Sequence, residues 1–487
     1  GSIMITLQRV DCNRESPPNL TVEYMTTKSV EFATISEIGA LIRFNELSSV
    51  ALTTLMLDRI ERLDGRLNTF ITVTSELALK QAALADTELA SGLDRGPLHG
   101  LPIAIKDLIA TNGILTTGGS KYYAAWTPDA DAAVVTRLYA AGAVMLGKTN
   151  LHELAFGSTS INPYYGAVSN PWKLDHHPGG SSGGSAVAVA AGMAYAAIGT
   201  DTGCSIRQPA QCCGIVGHKP SFGLVSKAGV MPLIDSMDHV GPLTRTVRDA
   251  ALVLRAIQGL DNDDPYSVDH VQDDYFTQMD LSLDGAVVGV PRQFFFSGGD
   301  PEVVGLVDQA LKTFQDLGAD VVDMDLPDVE RAYREADVTF SEISRAHGAA
   351  LADEPEAFSE ALRRRYASVT SVSDADYETA QVFRKEFRQQ VAAVMGRCDV
   401  LAMPTSTVAA APIAKRPHNH GVERRKNASI FNFTGQPAIS IPCGFTATGL
   451  PAGMMLVGAM FGDAKVFRFA HAFEEATPWH RRHPDIS

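Results

Sequence analysis

Three short segments of this 487-residue chain carry residue types that together could cleave an acyl bond: Lys106-Asp107, Gly179-Gly-Ser-Ser-Gly-Gly184 and Gly199-Thr-Asp-Thr-Gly-Cys-Ser-Ile-Arg-Gln-Pro209. A serine hydroxyl is a weak nucleophile at neutral pH and needs a base within hydrogen-bond reach. In the third segment the successive N–H groups of Thr202, Gly203, Cys204 and Ser205 can converge as an oxyanion hole, with Ser205 supplying the attacking hydroxyl. The competing reading of that turn is a serine that caps the next helix. Lys106 closes the apolar run Leu101-Pro-Ile-Ala-Ile105. A lysine at such a place is ordinarily a surface charge, but burial would lower its pKa and make the neutral amine a usable base.

Other patterns compete for the same letters. Gly-x-Ser-x-Gly is satisfied at both Ser181 and Ser182, the form of the α/β-hydrolase nucleophile elbow. That reading needs a downstream acid and histidine, and the candidates His218, His239 and His347 carry no supporting signature. Gly142-Ala-Val-Met-Leu-Gly-Lys-Thr149 matches the P-loop string, yet its four central residues read as a strand and not as an open phosphate cradle. The histidine groups His176-His177, His418-Asn-His420 and His480 to His483 lack the spacing of a zinc site. No metal and no cofactor is therefore expected.

The elements that must position these residues follow from the apolar pattern. Thr34-Ile-Ser-Glu37 matches a capping box ahead of Ile38, Leu41 and Ile42, which predicts a helix. A second helix is expected from Ser48 or Ser49, a strand at Phe70-Ile-Thr-Val73, and an Ala-rich helix from about Glu76 to Ala90. Leu101 to Ile105 and Ala143 to Leu146 are continuously apolar, as strands buried on both faces are. The glycines of Gly179–Gly184 run straight into a small-residue helix from Ser185, whose N-terminal N–H groups point into the loop. Alternating strand and helix patterns resume from about Leu281, and a charged helical stretch, Pro355 to Arg397, precedes the strand Val400-Leu-Ala-Met403. The chain reads as an N-terminal arm over 1–31, beginning in a cloning scar, followed by a single domain over 32–487. Its motif-bearing core lies at about 70–230 and its specificity-determining helical region at about 330–430.

Lys plus Arg total 41 against 56 Asp plus Glu, a balance of −15 that opposes binding to nucleic acid or to an anionic membrane, so neither is expected as a partner. Six cysteines without CxxC spacing read as reduced thiols of a cytoplasmic protein. Ser185 to Ile198 is the longest stretch of small apolar residues and is too short to cross a bilayer. The expected partners reduce to a small-molecule amide and, at most, a second copy of the chain.

Taken together, Gly100-Leu-Pro-Ile-Ala-Ile-Lys-Asp107, Pro178-Gly-Gly-Ser-Ser-Gly-Gly184 and Gly199 to Pro209 resemble the amidase signature family. The intervals from Lys106 to Ser181 and from Ser181 to Ser205 agree, as do Gly147-Lys-Thr-Asn150, Asn170-Pro-Trp172, Cys213-Gly-Ile-Val-Gly217 and Thr434-Gly-Gln-Pro-Ala438. The resemblance implies an α/β fold with a mixed central sheet covered by helices on both faces, and a Ser-cisSer-Lys triad. It makes Lys106 the base, Ser181 the bridging serine after a cis peptide and Ser205 the nucleophile, with Ser182 in support. By the same similarity Ala155, Phe156, Gly157, Ser158 and Ile206 line the acyl side, and their small or apolar character favours an apolar or aryl acyl group. Two positions depart from the family: Cys204 stands where a second glycine is usual, and Met455 where a glutamine is. The family admits two functions, an amidohydrolase acting alone on a small neutral amide, ester or carbamate, and the glutaminase (A) subunit of a tRNA-dependent amidotransferase. The segment Phe340 to His347 and the charged helices after it favour the first.

Overall fold

The computed structural model describes residues 30–271, 274–415 and 421–486. The expected arm lies outside these residues up to position 29, as do Cys12 and the His418-Asn-His420 group. The arm's last residues belong to the fold: Val30 is buried, and its carbonyl accepts the Tyr195 hydroxyl at 2.8 Å.

The first helix, Ile35–Arg43, starts where the capping box placed it. The Glu37 N–H donates to Thr34 Oγ1 at 3.2 Å, the Thr34 N–H donates to Glu37 Oε2 at 2.8 Å, and Ile35, Ile38, Leu41 and Ile42 turn inward. Ser48 caps Ser49–Leu67 more simply, its hydroxyl accepting the Ala51 N–H at 3.0 Å. Among the described residues no helix is long and apolar enough to cross a membrane.

Among the described residues thirteen strands follow in chain order: β1 Phe70–Val73, β2 Pro102–Lys106, β3 Val144–Thr149, β4 Ile161–Asn162, β5 Gly166–Ala167, β6 Ala196–Asp201, β7 Val216–Lys219, β8 His239–Thr244, β9 Val287–Val290, β10 Asp320–Asp323, β11 Val400–Pro404, β12 Ala438–Phe445 and β13 Pro451–Val457. All but the β4–β5 pair join one mixed sheet in the order β1-β3-β2-β6-β8-β7-β12-β13-β11-β9-β10. Every residue of β2, β3, β6, β7 and β8 is buried, which is why these strands carry no polar alternation. The apolar stretch Ser185 to Ile198 is two elements: the helix Gly183–Ala190 ends, the chain turns at Gly192 in the left-handed region (φ +67), and β6 begins.

This order fixes the site. Strands β2, β3 and β6 are parallel, so Lys106, Thr149 and Asp201 emerge at one edge of the sheet. Helix Gly183–Ala190 packs on β2, β3 and β6 and brings the serine loop to that edge. Contact this close needs glycine: a Cβ on Gly184 would stand 2.4 Å from the Asn150 carbonyl oxygen. Four helices, Val329–Thr339, Ile343–Asp353, Glu360–Thr370 and Asp374–Met395, are inserted between β10 and β11, and helix Gly421–Thr434 follows β11.

Candidate active site

Lys106 is fully buried at the end of β2. Its Nζ donates to Ser181 Oγ at 2.7 Å, Thr200 Oγ1 at 2.8 Å and Ser182 Oγ at 2.9 Å, an arrangement with three hydroxyls and no carboxylate. Burial pushes the ammonium down to about 7, against the raising pull of Asp201 and Asp238. Asp107 turns away, with Oδ2 accepting the Thr117 N–H and hydroxyl and Oδ1 3.8 Å from Lys148 Nζ. The peptide bond between Gly180 and Ser181 is cis. Ser182 holds both Lys106 and the loop, because its hydroxyl also donates to the Thr200 carbonyl at 3.1 Å.

The turn after β6 is clamped from below. Asp201 accepts Arg207 Nε and Nη2 at 3.0 and 2.9 Å, the Ile206 N–H at 3.0 Å and Asn432 Nδ2 at 2.9 Å. Burial alone would raise the Asp201 carboxyl, but Arg207 and these donors hold it well below the usual carboxylate range. Arg207 Nη1 meets Met455 Sδ at 3.4 Å, so the thioether takes an acceptor's place beside the guanidinium. Above this clamp, Thr202, Gly203, Cys204 and Ser205 all line a cavity of about 290 Å³. The Ser205 hydroxyl has no hydrogen-bond partner among the described residues. Cys204 is 4% exposed, its Sγ lies 3.8 Å from the Gly180 carbonyl oxygen, and burial pushes the thiol up to about 12.

Ala155, Phe156, Gly157 and Ser158 line the same cavity. Ile206 does not: it is fully buried and faces Gly217 and Gly241 in the core, which corrects its assignment to the acyl side. The sequence reading missed Leu233, Phe340, Arg365, Gly421, Val422 and Arg425, which complete the wall. Arg425 makes a bidentate pair with Asp337 at 2.5 and 2.9 Å. Arg365 stacks over the Phe156 ring at 4.1 Å and donates to the Phe156 carbonyl, with no carboxylate partner among the described residues. Burial, and then the neighbouring Arg425 charge, push this guanidinium down to about 10, so it remains a cation at neutral pH. Asp337 pulls the other way, but its carboxylate is already paired with Arg425, and a cation in this wall does not fit the expected apolar or aryl acyl group. A charge on a helix surface has no periodic signature, and only the approach of the inserted helices to the serine turn reveals it.

The rival patterns dissolve in the structure. His218 pairs with Asp463 at 3.0 Å, His239 Nδ1 with the Met237 carbonyl at 2.7 Å and His347 with the Pro232 carbonyl at 2.8 Å, so none serves the serines. Lys148 lies inside β3 with Nζ on the Ile109 carbonyl and Thr116 Oγ1, both at 2.6 Å, and no phosphate cradle exists there. His471, Glu474 and Glu475 do gather ligand atoms within 4.8 Å, but both Glu474 oxygens already accept the Val247 N–H.

The Amidase family profile matches residues 51–467. The chain belongs to the amidase family. The A subunit of glutamyl-tRNA(Gln) amidotransferase from Moorella thermoacetica is 39% identical over 481 residues, covering 93% of this chain and 99% of that protein. The solved structure of the corresponding A subunit of glutamyl-tRNA(Gln) amidotransferase from Thermotoga maritima superposes with a TM-score of 0.77 at 33% identity, over 92% of this chain and 95% of its own. A structure described as a vestigial protein complex that reveals the origins of an s-triazine catabolic enzyme gives 0.87 at 32% identity over 91% and 98%. These relatives overturn two expectations: a hydrolase that acts alone on a neutral amide, and a protein with no nucleic-acid partner. The net charge of a single chain bounds only what that chain attracts directly. It does not bear on an RNA engaged by an assembly of several subunits.

Proposed function

We propose that this chain is the amide-hydrolysing A subunit of an amidotransferase of the glutamyl-tRNA(Gln) kind. Its partners are then the other subunits of the assembly and, through them, the tRNA; both solved neighbours named above are likewise described as parts of protein complexes. Neutral Lys106, present in quantity because its pKa is about 7, draws the proton of Ser181, and Ser181 draws that of Ser205. Ser205 Oγ attacks the carboxamide carbon, and the negative charge that develops on oxygen is met by the N–H groups of the Thr202–Ser205 turn. Collapse breaks the C–N bond, and the proton returns through Ser181 to the nitrogen, which leaves as ammonia. Water then attacks the acyl-enzyme by the same relay and frees Ser205.

The observation that carries the reading is Arg365, a cation with no carboxylate of its own in the wall of the cavity that holds Ser205. It matches the carboxylate end of glutamine. None of the described lining residues is acidic, so the ammonium of glutamine finds no countercharge there. The test is ammonia release from glutamine by the chain co-purified with its partner subunits, beside glutaramate, which is glutamine without the ammonium. Both should be hydrolysed, glutaramate at least as well, and a neutral alkyl amide poorly. Absence of ammonia from either anionic amide, or preference for the neutral one, overturns the proposal.

A further inference from the structure

Asp238 stands one residue ahead of β8 and is 8% exposed. Its Oδ1 accepts the Thr202 hydroxyl at 2.5 Å. Its Oδ2 accepts the N–H of Leu233 at 2.8 Å and of Ile234 at 3.1 Å. Thr202 and Leu233 both line the cavity that holds Ser205, whereas Asp238 itself lines only the small space behind it. Strand pairing fixes where the carboxylate stands, since β8 runs antiparallel to β6 with His239 opposite Asp201. The Asp201 clamp grips the turn from the Arg207 side, and Asp238 is the group that grips the Thr202 side. Donors aimed at a developing oxyanion act only as far as they are held in place beforehand.

We propose that Asp238 is the positioning residue of the oxyanion hole, one carboxylate that fixes Thr202 on one side and the Leu233 wall of the acyl cavity on the other without touching substrate. The inference rests on Ser205 being the nucleophile. Around Asp238 lie Lys227, Asp235 and His239 on the near side, and Lys106 and Asp201 beneath the turn. Burial pushes the Asp238 carboxyl up to about 6 against the pull of Lys227, so it is mostly ionised at neutral pH, and its charge in turn raises Lys106. Asp238→Asn therefore has two separable consequences: the hole loosens, and the Lys106 limb moves to lower pH because a negative charge near the amine is gone.

The experiment compares Asp238→Asn, Thr202→Val and the double variant in ammonia release from glutamine by the assembled enzyme. The p-nitrophenol burst from p-nitrophenyl acetate supplies a probe independent of the partner subunits, and both are followed across pH. Each single variant should lower the plateau rate by roughly 10- to 100-fold, with KM within about 3-fold, because a misplaced donor weakens only the transition state. The double variant should lose no more than the worse single, since both remove one link. Asp238→Asn should also shift the limb downward in pH, and by more than Thr202→Val, which keeps the carboxylate and removes only one of the donors that hold it ionised. Plateau rates at the parental level, losses that multiply in the double variant, or an unmoved limb in Asp238→Asn would each refute the assignment. Thr202→Val keeps the carboxylate and its bonds to Leu233 and Ile234, so it reads the same link even where Asp238→Asn does not fold. Ser205→Ala separates the two layers: activity persisting there sinks the nucleophile reading, whereas a dead Ser205→Ala beside a fully active Asp238→Asn sinks only this inference.

Discussion

The Lys106 corner and the cavity wall, the proposed base and acyl sites, are built in opposite ways. Around Lys106 everything is short-range and sealed: one strand end, one glycine loop and Thr200 of β6 supply three hydroxyls to a fully buried amine. The acyl wall is assembled from distant pieces, with Phe156 near β3, Phe340 and Arg365 from the helices after β10, and Arg425 from the helix after β11. In the proposed function the first region sets what bond is attacked and the second sets which acyl group is presented. Damage to the corner should therefore be indifferent to substrate, and damage to the wall should not.

The largest effect expected is at the corner. Lys106→Ala removes the proton acceptor and should lower the acylation rate by about 10²- to 10⁴-fold for every amide, anionic or neutral. The parental rate should rise with pH through about 7 and then level off, because in the proposed mechanism the deprotonated amine is the active form and its share grows with pH. The variant should lose that limb. Lys148 sharpens the point: it is equally buried but sits 3.8 Å from Asp107, and its pKa is lowered only to about 8. Lys148→Met should therefore disturb stability without removing the limb, and a limb that vanished with Lys148 would place the base on the wrong side of the sheet. Rate against pH for the two variants and the parent decides this.

Arg365 breaks the comparison in the other direction. Replacing it with methionine keeps the stem that covers Phe156 and removes a charged donor worth about 1.5 to 3 kcal/mol, which is roughly 10- to 150-fold in kcat/KM. That loss should fall on glutamine and glutaramate, while the p-nitrophenyl acetate burst stays near the parental rate. Equal losses on all three would mean that Arg365 supports the fold of the wall and does not read a carboxylate.

The two regions also differ in how far the sequence reveals them. Lys106, Ser181, Ser182 and Ser205 lie in strings whose glycines are dictated by close backbone approach, as at Gly184, so the letters carry the geometry with them. The capped helices and the continuously apolar strands were legible for the same local reason. Strands β12 and β13 were not, since their register depends on pairing with β7 and β11, far away in the chain. Nor was Arg365: Leu-Arg-Arg-Arg-Tyr366 offers three adjacent arginines, and only the packing of helix Glu360–Thr370 turns one of them into the cavity. The expectation of an apolar acyl group failed because it weighed only the residues near the serine motif.

Cys204 belongs to both regions and should show the smallest effect. It contributes one N–H to the turn and one side chain to the wall. The N–H survives any substitution except proline. The thiol, pushed up to about 12 by burial, carries almost no thiolate at neutral pH and is therefore neither a nucleophile nor a ready target for alkylation. Cys204→Gly should hold kcat on glutamine within about 3-fold, because the proposed oxyanion donors are main-chain groups. Its cost should appear in stability instead. A small buried side chain is lost and a freer backbone must be ordered, together about 1 to 2 kcal/mol, read as a lower melting temperature. Bulkier acyl groups should gain relative to glutamine, since the space vacated opens onto the cavity. Iodoacetamide at pH 7 should leave parental Cys204 unlabelled. A variant that folds with parental stability yet loses activity outright would give the thiol a chemical part that the geometry of the turn does not require.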